Sequence, residues 1–216
     1  MNKILPLGNR NFRQIIIVVL TVFLLSSCLN VVQTVEGDET ATRTRIRMTF
    51  SKALVEGAAS MTGEQPDYGD LPDFTGEEGL VNTDIPGARV KTSPIDSEYD
   101  YGVEIDAEYD SRDLAEADPM NRVFFPVIRD KSMTILLPPN EESQEMDEMT
   151  MMFFGSAKYQ LFISREAGRE AVDEVLVGGE KGVAAIIPMD DVLIVEMPLM
   201  LWMTSTEMLP VEITFQ

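Results

Sequence analysis

The chain has 216 residues with 17 basic and 37 acidic side chains, a net charge of −20, and no histidine. This charge excludes duplex nucleic acid as a partner, because binding a duplex relies on Lys and Arg displacing phosphate counterions. The lack of histidine removes the commonest general base and the imidazole ligands of zinc, and no Gly-x-Ser-x-Gly, P-loop or Gly-x-Gly-x-x-Gly motif is present, so we expect no enzymatic activity.

The N-terminal segment has the charge and hydropathy order of a secretory signal peptide. Lys3, Arg10 and Arg13 precede an apolar run over residues 15–25. A helix needs about 20 apolar residues to cross a bilayer, so this run of 11 residues is too short for a permanent span. We therefore expect residues 1–27 to be cleaved off.

The single cysteine follows this run in the sequence Leu25-Ser26-Ser27-Cys28. The tetrad resembles the lipobox of bacterial lipoproteins: a branched apolar residue, two small residues and a cysteine. The resemblance implies cleavage between Ser27 and Cys28 and a covalent lipid on Cys28, with no other cofactor. Two or three acyl chains anchor a protein stably. The alternative is an ordinary secretory signal followed by an unrelated cysteine.

The resemblance also implies a location in the bacterial cell envelope. Leu29, rather than Asp, follows the lipidated cysteine, which by the sorting rule of enteric bacteria favours the outer membrane over the inner one. Residues 28–216 form a single mature domain with 14 basic and 37 acidic residues, a net charge of −23. Since acids oppose adsorption to anionic headgroups, we expect the membrane contact to be the lipid.

A β-hairpin is predicted directly after the anchor. Residues 29–35 are apolar and β-branched, Gly37-Asp38 offers a turn, and residues 41–50 alternate in polarity. In the alternating run, Arg43, Arg45 and Arg47 share one face. We expect them to pair across the sheet with acids such as those of residues 104–108; the alternative is that they receive an acidic partner or a phosphate.

Helical spacing follows over residues 51–61, with Ser51 as the N-cap. Residues 62–100 then carry four prolines, five glycines and scattered acids without an apolar period. This composition predicts a long acidic flexible insertion.

The remaining chain is predicted to be mostly β. Strands are expected at residues 101–109, 122–129, 132–137, 158–164, 172–177, 183–187, 192–203 and 211–215, with one or two helical turns at 146–154. The run 192–203 is interpreted as a buried or bent strand rather than a second membrane contact. The fold class is therefore α+β, a mostly antiparallel sheet with one or two short helices.

The sequence offers two candidate metal sites, each of which also has a simpler interpretation. Asp96, Glu98 and Asp100 begin a run of carboxylates that could bind calcium, but Tyr101 and Ala107 stand where an EF-hand needs Gly and Glu. A solvated strand face is the favoured interpretation, and these three residues remain weak candidates. Methionines three residues apart could hold Cu(I), although core packing is the favoured role for them: Met146, Met149 and Met152.

The order of lipobox, strand, Gly-Asp turn, Arg/Thr strand and short helix is similar to small uncharacterised bacterial lipoproteins of spirochaete type, which implies no activity. The favoured function is a lipid-anchored envelope protein without catalysis that binds another envelope protein or serves structurally. The alternative is a binding module for a lipid or other apolar molecule, suggested by the Met- and Phe-rich half from Met133 onward. Lesser alternatives are a calcium-binding surface protein and an enzyme using paired carboxylates.

Overall fold

The computed structural model describes residues 29–53, 56, 57, 60, 85, 87–140, 155–165, 169 and 171–216. The described strands are β1 (Leu29–Gly37), β2 (Thr42–Ser51), β3 (Arg89–Asp96), β4 (Asp100–Tyr109), β5 (Val127–Arg129), β6 (Ser132–Leu137), β7 (Lys158–Ser164), β8 (Val172–Val177), β9 (Glu180–Lys181), β10 (Ala185–Pro188), β11 (Val192–Pro198) and β12 (Leu209–Phe215). The helical elements with defined bounds are α1 (Ser111–Ala115), α2 (Met200–Met203) and a 3₁₀ turn (Pro119–Arg122).

The strands form two sheets. The larger sheet has the order β10-β11-β7-β1-β2-β4-β3 and the smaller sheet β5-β6-β12-β8-β9. Every described pairing between these strands is antiparallel except that of β1 with β7. The predicted fold class, mostly antiparallel β with short helices, is confirmed at this level.

The two sheets share one hydrophobic core. Val31, Ile46 and Leu161 of the larger sheet and Met133 and Ile213 of the smaller one have no exposed surface or almost none. In β2 the predicted alternation is confirmed from Thr42 to Met48, because Thr42, Thr44, Ile46 and Met48 are buried while the three arginines between them are exposed. It does not extend to residue 49, which the pattern places on the arginine side but which is buried. The arginine side of β2 therefore belongs to the outer face of the larger sheet.

The predicted flexible insertion at 62–100 is wrong for its last part, which forms β3 and the turn into β4. Strand β3 is the edge of the larger sheet and is mostly exposed or half-buried. An edge strand tolerates Pro94 and needs no buried apolar face, so it lacks the alternation by which strands are recognised. Residues 61–84, which hold most of the predicted acidic loop, lie outside the described residues.

Three other expectations are corrected. The predicted strand 192–203 ends at Pro198 and gives way to α2, because proline cannot donate to a continuing ladder. The predicted strand 122–129 is a strand only from Val127, since Phe124 adopts a φ of 66°. Helix α1 was not predicted; it is short and begins with Asp110 accepting from the Arg112 backbone N–H. Of the predicted helix 51–61, Ser51 is instead the last residue of β2, and the other described residues are helical. Met146, Met149 and Met152 lie outside the described residues.

A buried glutamine ties the two sheets together. Gln33, in β1, has no exposed surface, and its Nε2 donates to Thr44 Oγ1 at 2.8 Å and to the Phe124 carbonyl at 2.8 Å. The Tyr159 hydroxyl donates to Gln33 Oε1, and burial raises the pKa of Tyr159 above its usual value, which keeps this donor protonated. Phe124 in turn bonds to Leu136 of β6, so the amide joins the larger sheet to the smaller one.

We expect Gln33→Leu to destabilise the protein, because three buried polar groups lose their partner and each unsatisfied group costs about 1–3 kcal/mol. Urea unfolding followed by circular dichroism measures the change in the free energy of unfolding. Asn30→Leu, on an exposed position of the same strand, is the matched control and should change stability by at most about 0.5 kcal/mol. Equal stability of the two variants would contradict the role given to Gln33.

Candidate functional site on the outer face of the larger sheet

The strands β1, β2, β4 and β3, which form one side of the larger sheet, carry a concentrated set of charges on their outer face. Five of the chain's 17 basic residues lie there. We call this surface the charged face and define it by Glu36 on β1; Arg43, Arg45 and Arg47 on β2; Glu104, Asp106 and Glu108 on β4; and Arg89 and Lys91 on β3.

Strand register brings these side chains into lines across the sheet. Glu36 lies opposite Arg43, Arg43 opposite Glu108, and Glu108 opposite Arg89. Two residues along, Thr34 is followed across the sheet by Arg45, Asp106 and Lys91. The third line runs from Val32 through Arg47 and Glu104 to Ser93. Charge sign therefore alternates over all four strands in the first line, over β2, β4 and β3 in the second, and from β2 to β4 in the third.

Asp106 is the centre of the ion pairing. Its carboxylate accepts from Arg43 Nη2 at 3.0 Å and from Arg45 Nη2 at 2.9 Å. The hydrogen bond from Arg43, followed by that from Arg45, lowers the pKa of Asp106 below its usual value against the opposing effect of burial. Glu104 and Glu108 stand farther off, at 3.9 Å from Arg45 Nε and 4.0 Å from Arg43 Nε. The predicted pairing is confirmed for Arg43 and Arg45, whereas the described ion pair of Arg47 is with Asp100 instead.

The two cations of β3 differ from the arginines of β2 in their ion pairing. Arg89 and Lys91 lie beside Glu108 and Asp106 in register, yet within the described part of the chain neither makes an ion pair within 4.0 Å. A cavity of about 430 Å³ lies between them and β2, lined by Arg43, Arg45, Arg89, Lys91, Ser93, Glu104, Asp106 and Glu108. A second cavity of about 580 Å³ adjoins it toward Thr40 and Asp110. The face thus has room for side chains of a binding partner.

Sequence reasoning missed Arg89 and Lys91 because they were assigned to the flexible insertion. Their spacing of two residues, with Thr92 and Ser93 following, was the available sign of a strand with both cations on one face. Their position beside β4 depends on the order of strands in the sheet, which no local pattern encodes.

The weak calcium candidates are not gathered into a site. Asp96 pairs with Lys52, Asp100 lies 3.8 Å from Arg47 Nη2, and Glu98 is exposed in the turn between β3 and β4. Among the described residues, no group of three or more His, Cys, Asp or Glu side chains is arranged to hold a metal ion. Asp96 and Asp100 instead serve as partners for the neighbouring cations Lys52 and Arg47.

The predicted lipidation residue Cys28 and its neighbour Ser27 lie just outside the described residues. Leu29, the next residue, begins β1 at one end of the larger sheet. The described helices include none with the length and apolar character needed to span a bilayer. Comparison with protein-family models, curated proteins and solved structures found no match.

We expect Asp106→Asn to lower the free energy of unfolding by roughly 1 kcal/mol at pH 7, because the partly exposed pairs to Arg43 and Arg45 are lost. The folded-state pKa of Asp106 lies below the usual 3.8, so this stabilisation is present above that unfolded value and is lost as pH falls through the folded one. The difference between parent and variant should therefore shrink below about pH 4, as measured by urea unfolding over a pH series. Glu212→Gln, on the exposed side of β12, is the control and should show no such dependence; a pH-independent difference for Asp106→Asn would contradict the pairing.

Proposed function

We propose that the chain is an exported lipoprotein, anchored through Cys28 in the bacterial envelope, whose mature domain has no catalytic role and binds protein at the membrane surface. The lipobox tetrad and the signal-like segment before it support the anchor. The observation that carries the binding role is the charged face: an ordered, solvent-exposed array with two cations that lack an ion-pair partner within the described chain. The outer membrane remains the favoured location.

The pattern of charge favours a protein partner over a simple anion. Four cations and three carboxylates line the cavity of about 430 Å³ between β2 and β3, so the surface has both signs in close register. A phosphate polymer or nucleic acid would meet the carboxylates of β4 at every position. A polypeptide surface can match both signs at once, which gives selectivity for one partner.

A module for an apolar ligand receives less support. Many apolar residues from Met133 onward fill the shared core, among them Met133, Leu161, Leu193, Met197 and Trp202. The two cavities near Arg43 and Arg89 are instead lined largely by polar and charged residues. Apolar ligand sites are lined mainly by hydrophobic side chains, so these cavities do not suit a lipid.

We expect Cys28→Ala to abolish incorporation of radiolabelled palmitate and to leave full-length precursor, because the thiol that takes up the lipid is gone. The measurement is metabolic labelling of cells expressing the tagged chain, followed by gel analysis of the membrane and soluble fractions. Ser27→Ala keeps a small residue beside the cleavage site and should remain labelled and processed. Labelled protein in the Cys28→Ala variant would refute the anchor.

A further inference from the structure

The charged face has an order of charge that is complementary to itself. Along the first line across the sheet, from β1 to β3, the signs are negative at Glu36, positive at Arg43, negative at Glu108 and positive at Arg89. Reading this order backwards exchanges every sign. A second copy that presents the reversed order would therefore oppose each charge with its opposite.

We propose that two copies of the chain pair through their charged faces, related by a two-fold axis that runs along the strands between β2 and β4. Each β2 then lies over the β4 of the second copy, and each β1 over its β3, as an isologous interface requires. The resulting ion pairs, each occurring twice, are Glu36 with Arg89, Arg43 with Glu108, Arg45 with Asp106, and Arg47 with Glu104 of the second copy.

All three lines of residues across the charged face are compatible with this two-fold pairing. In the second line, Lys91 faces the uncharged Thr34 of the second copy, and in the third, Ser93 faces Val32. No two like charges are opposed. Arg89, which has no ion-pair partner within the described chain, obtains Glu36 as its partner.

The dimensions of the face suit the same arrangement. Stacked sheets lie about 10 Å apart, a gap that an arginine and a facing carboxylate side chain bridge together.

The mature chain's charge of −23 repels a second copy at long range, but salt screens this repulsion beyond about 8 Å at physiological ionic strength. The paired charges in the interface are closer than that, so their attraction is less affected.

The proposed membrane anchor favours the same two-fold axis for a reason that does not involve charge; this argument rests on the proposed function. A two-fold axis along the strands leaves both copies of Leu29, and hence both anchors, at the same end of the pair. An axis in the plane of the sheet but across the strands would place the anchors at opposite ends. It would also set Arg45 over Arg45 and Asp106 over Asp106, so charge and anchoring exclude it together.

The test exchanges charges between two positions that are far apart in one copy. Glu36 and Arg89 are separated by β2 and β4, which is about 14 Å at the usual strand spacing. Glu36→Arg alone and Arg89→Glu alone each oppose like charges across the pair and should weaken self-association roughly tenfold or more. Mixing the two variants restores opposite charges at both positions, so the mixture should associate within about threefold of the parent.

Association is measured by sedimentation velocity of the purified chain in detergent over a concentration series, with circular dichroism to verify folding. Glu212→Arg and Arg129→Glu, on the smaller sheet, form the control set and should leave association unchanged singly and mixed. If a reversal impairs folding, Glu36→Gln and Arg89→Gln replace it and should each weaken association about threefold.

A parent that stays monomeric at all concentrations, or a mixture that associates no better than the single variants, overturns the proposal. The two proposals fail separately, because association in detergent does not require the anchor. Association rescued by mixing, in a chain that takes up no palmitate, supports the interface and refutes the anchor. Palmitate labelling without rescue supports the anchor and refutes the interface.

Discussion

The hydrogen bonds of Gln33 are the constraint on which the rest of the structure depends. A fully buried amide that left its donors and acceptor unpaired would oppose folding, so Gln33 must face Thr44, Tyr159 and Phe124. This requirement and the burial of Leu29, Val31 and Val35 on the same side of β1 together determine which side points inward. A slip of one residue would exchange the two sides of β1, and it would bury Val32 and Thr34 in place of the amide. Because β2 pairs with β1 in a defined register, the outward direction of Arg43 follows from the same bonds.

The alternating charges arise from strand order as much as from sequence. Strand β4 lies between β2 and β3 although it follows both in the chain. The acids of β4 are therefore flanked by cations on either side, and Asp106 can bind Arg43 and Arg45 together. Had β3 been placed beside β2, the cations would have been neighbours and would have repelled one another. The order thus gives a surface of mixed sign on a protein that is strongly acidic overall.

The proposed lipid anchor and the charged face would together address one physical problem. Residues 28–216 carry a net charge of −23, which is repelled by anionic headgroups and by a second copy of the chain. A covalent lipid, as proposed, would overcome the first repulsion, and confinement to one surface would raise the local concentration against the second. Strand β1 begins at Leu29, so a lipid on the preceding residue would hold the end of the larger sheet close to the membrane. The strands of neighbouring copies would then share a common direction.

Local features of this protein were determined by its sequence alone. The hairpin of β1 and β2, the alternation that exposes Arg43, Arg45 and Arg47, and the turn at Asp130 between β5 and β6 all depend on residues close in the chain, whose period of two or turn chemistry is visible in the printed sequence. The lipobox is equally local, and the anchor at Cys28 stays a prediction. Only the tertiary structure decided the parallel pairing of β1 with β7 and the edge position of β3. These depend on contacts between segments far apart in the chain, where hydrogen-bond partners are chosen by packing of the whole core. For that reason the sequence predicted the arginines of the charged face and their acidic partners. The place of Arg89 and Lys91 on this face, and the order of residues along each line across the sheet, could be seen only in the tertiary structure.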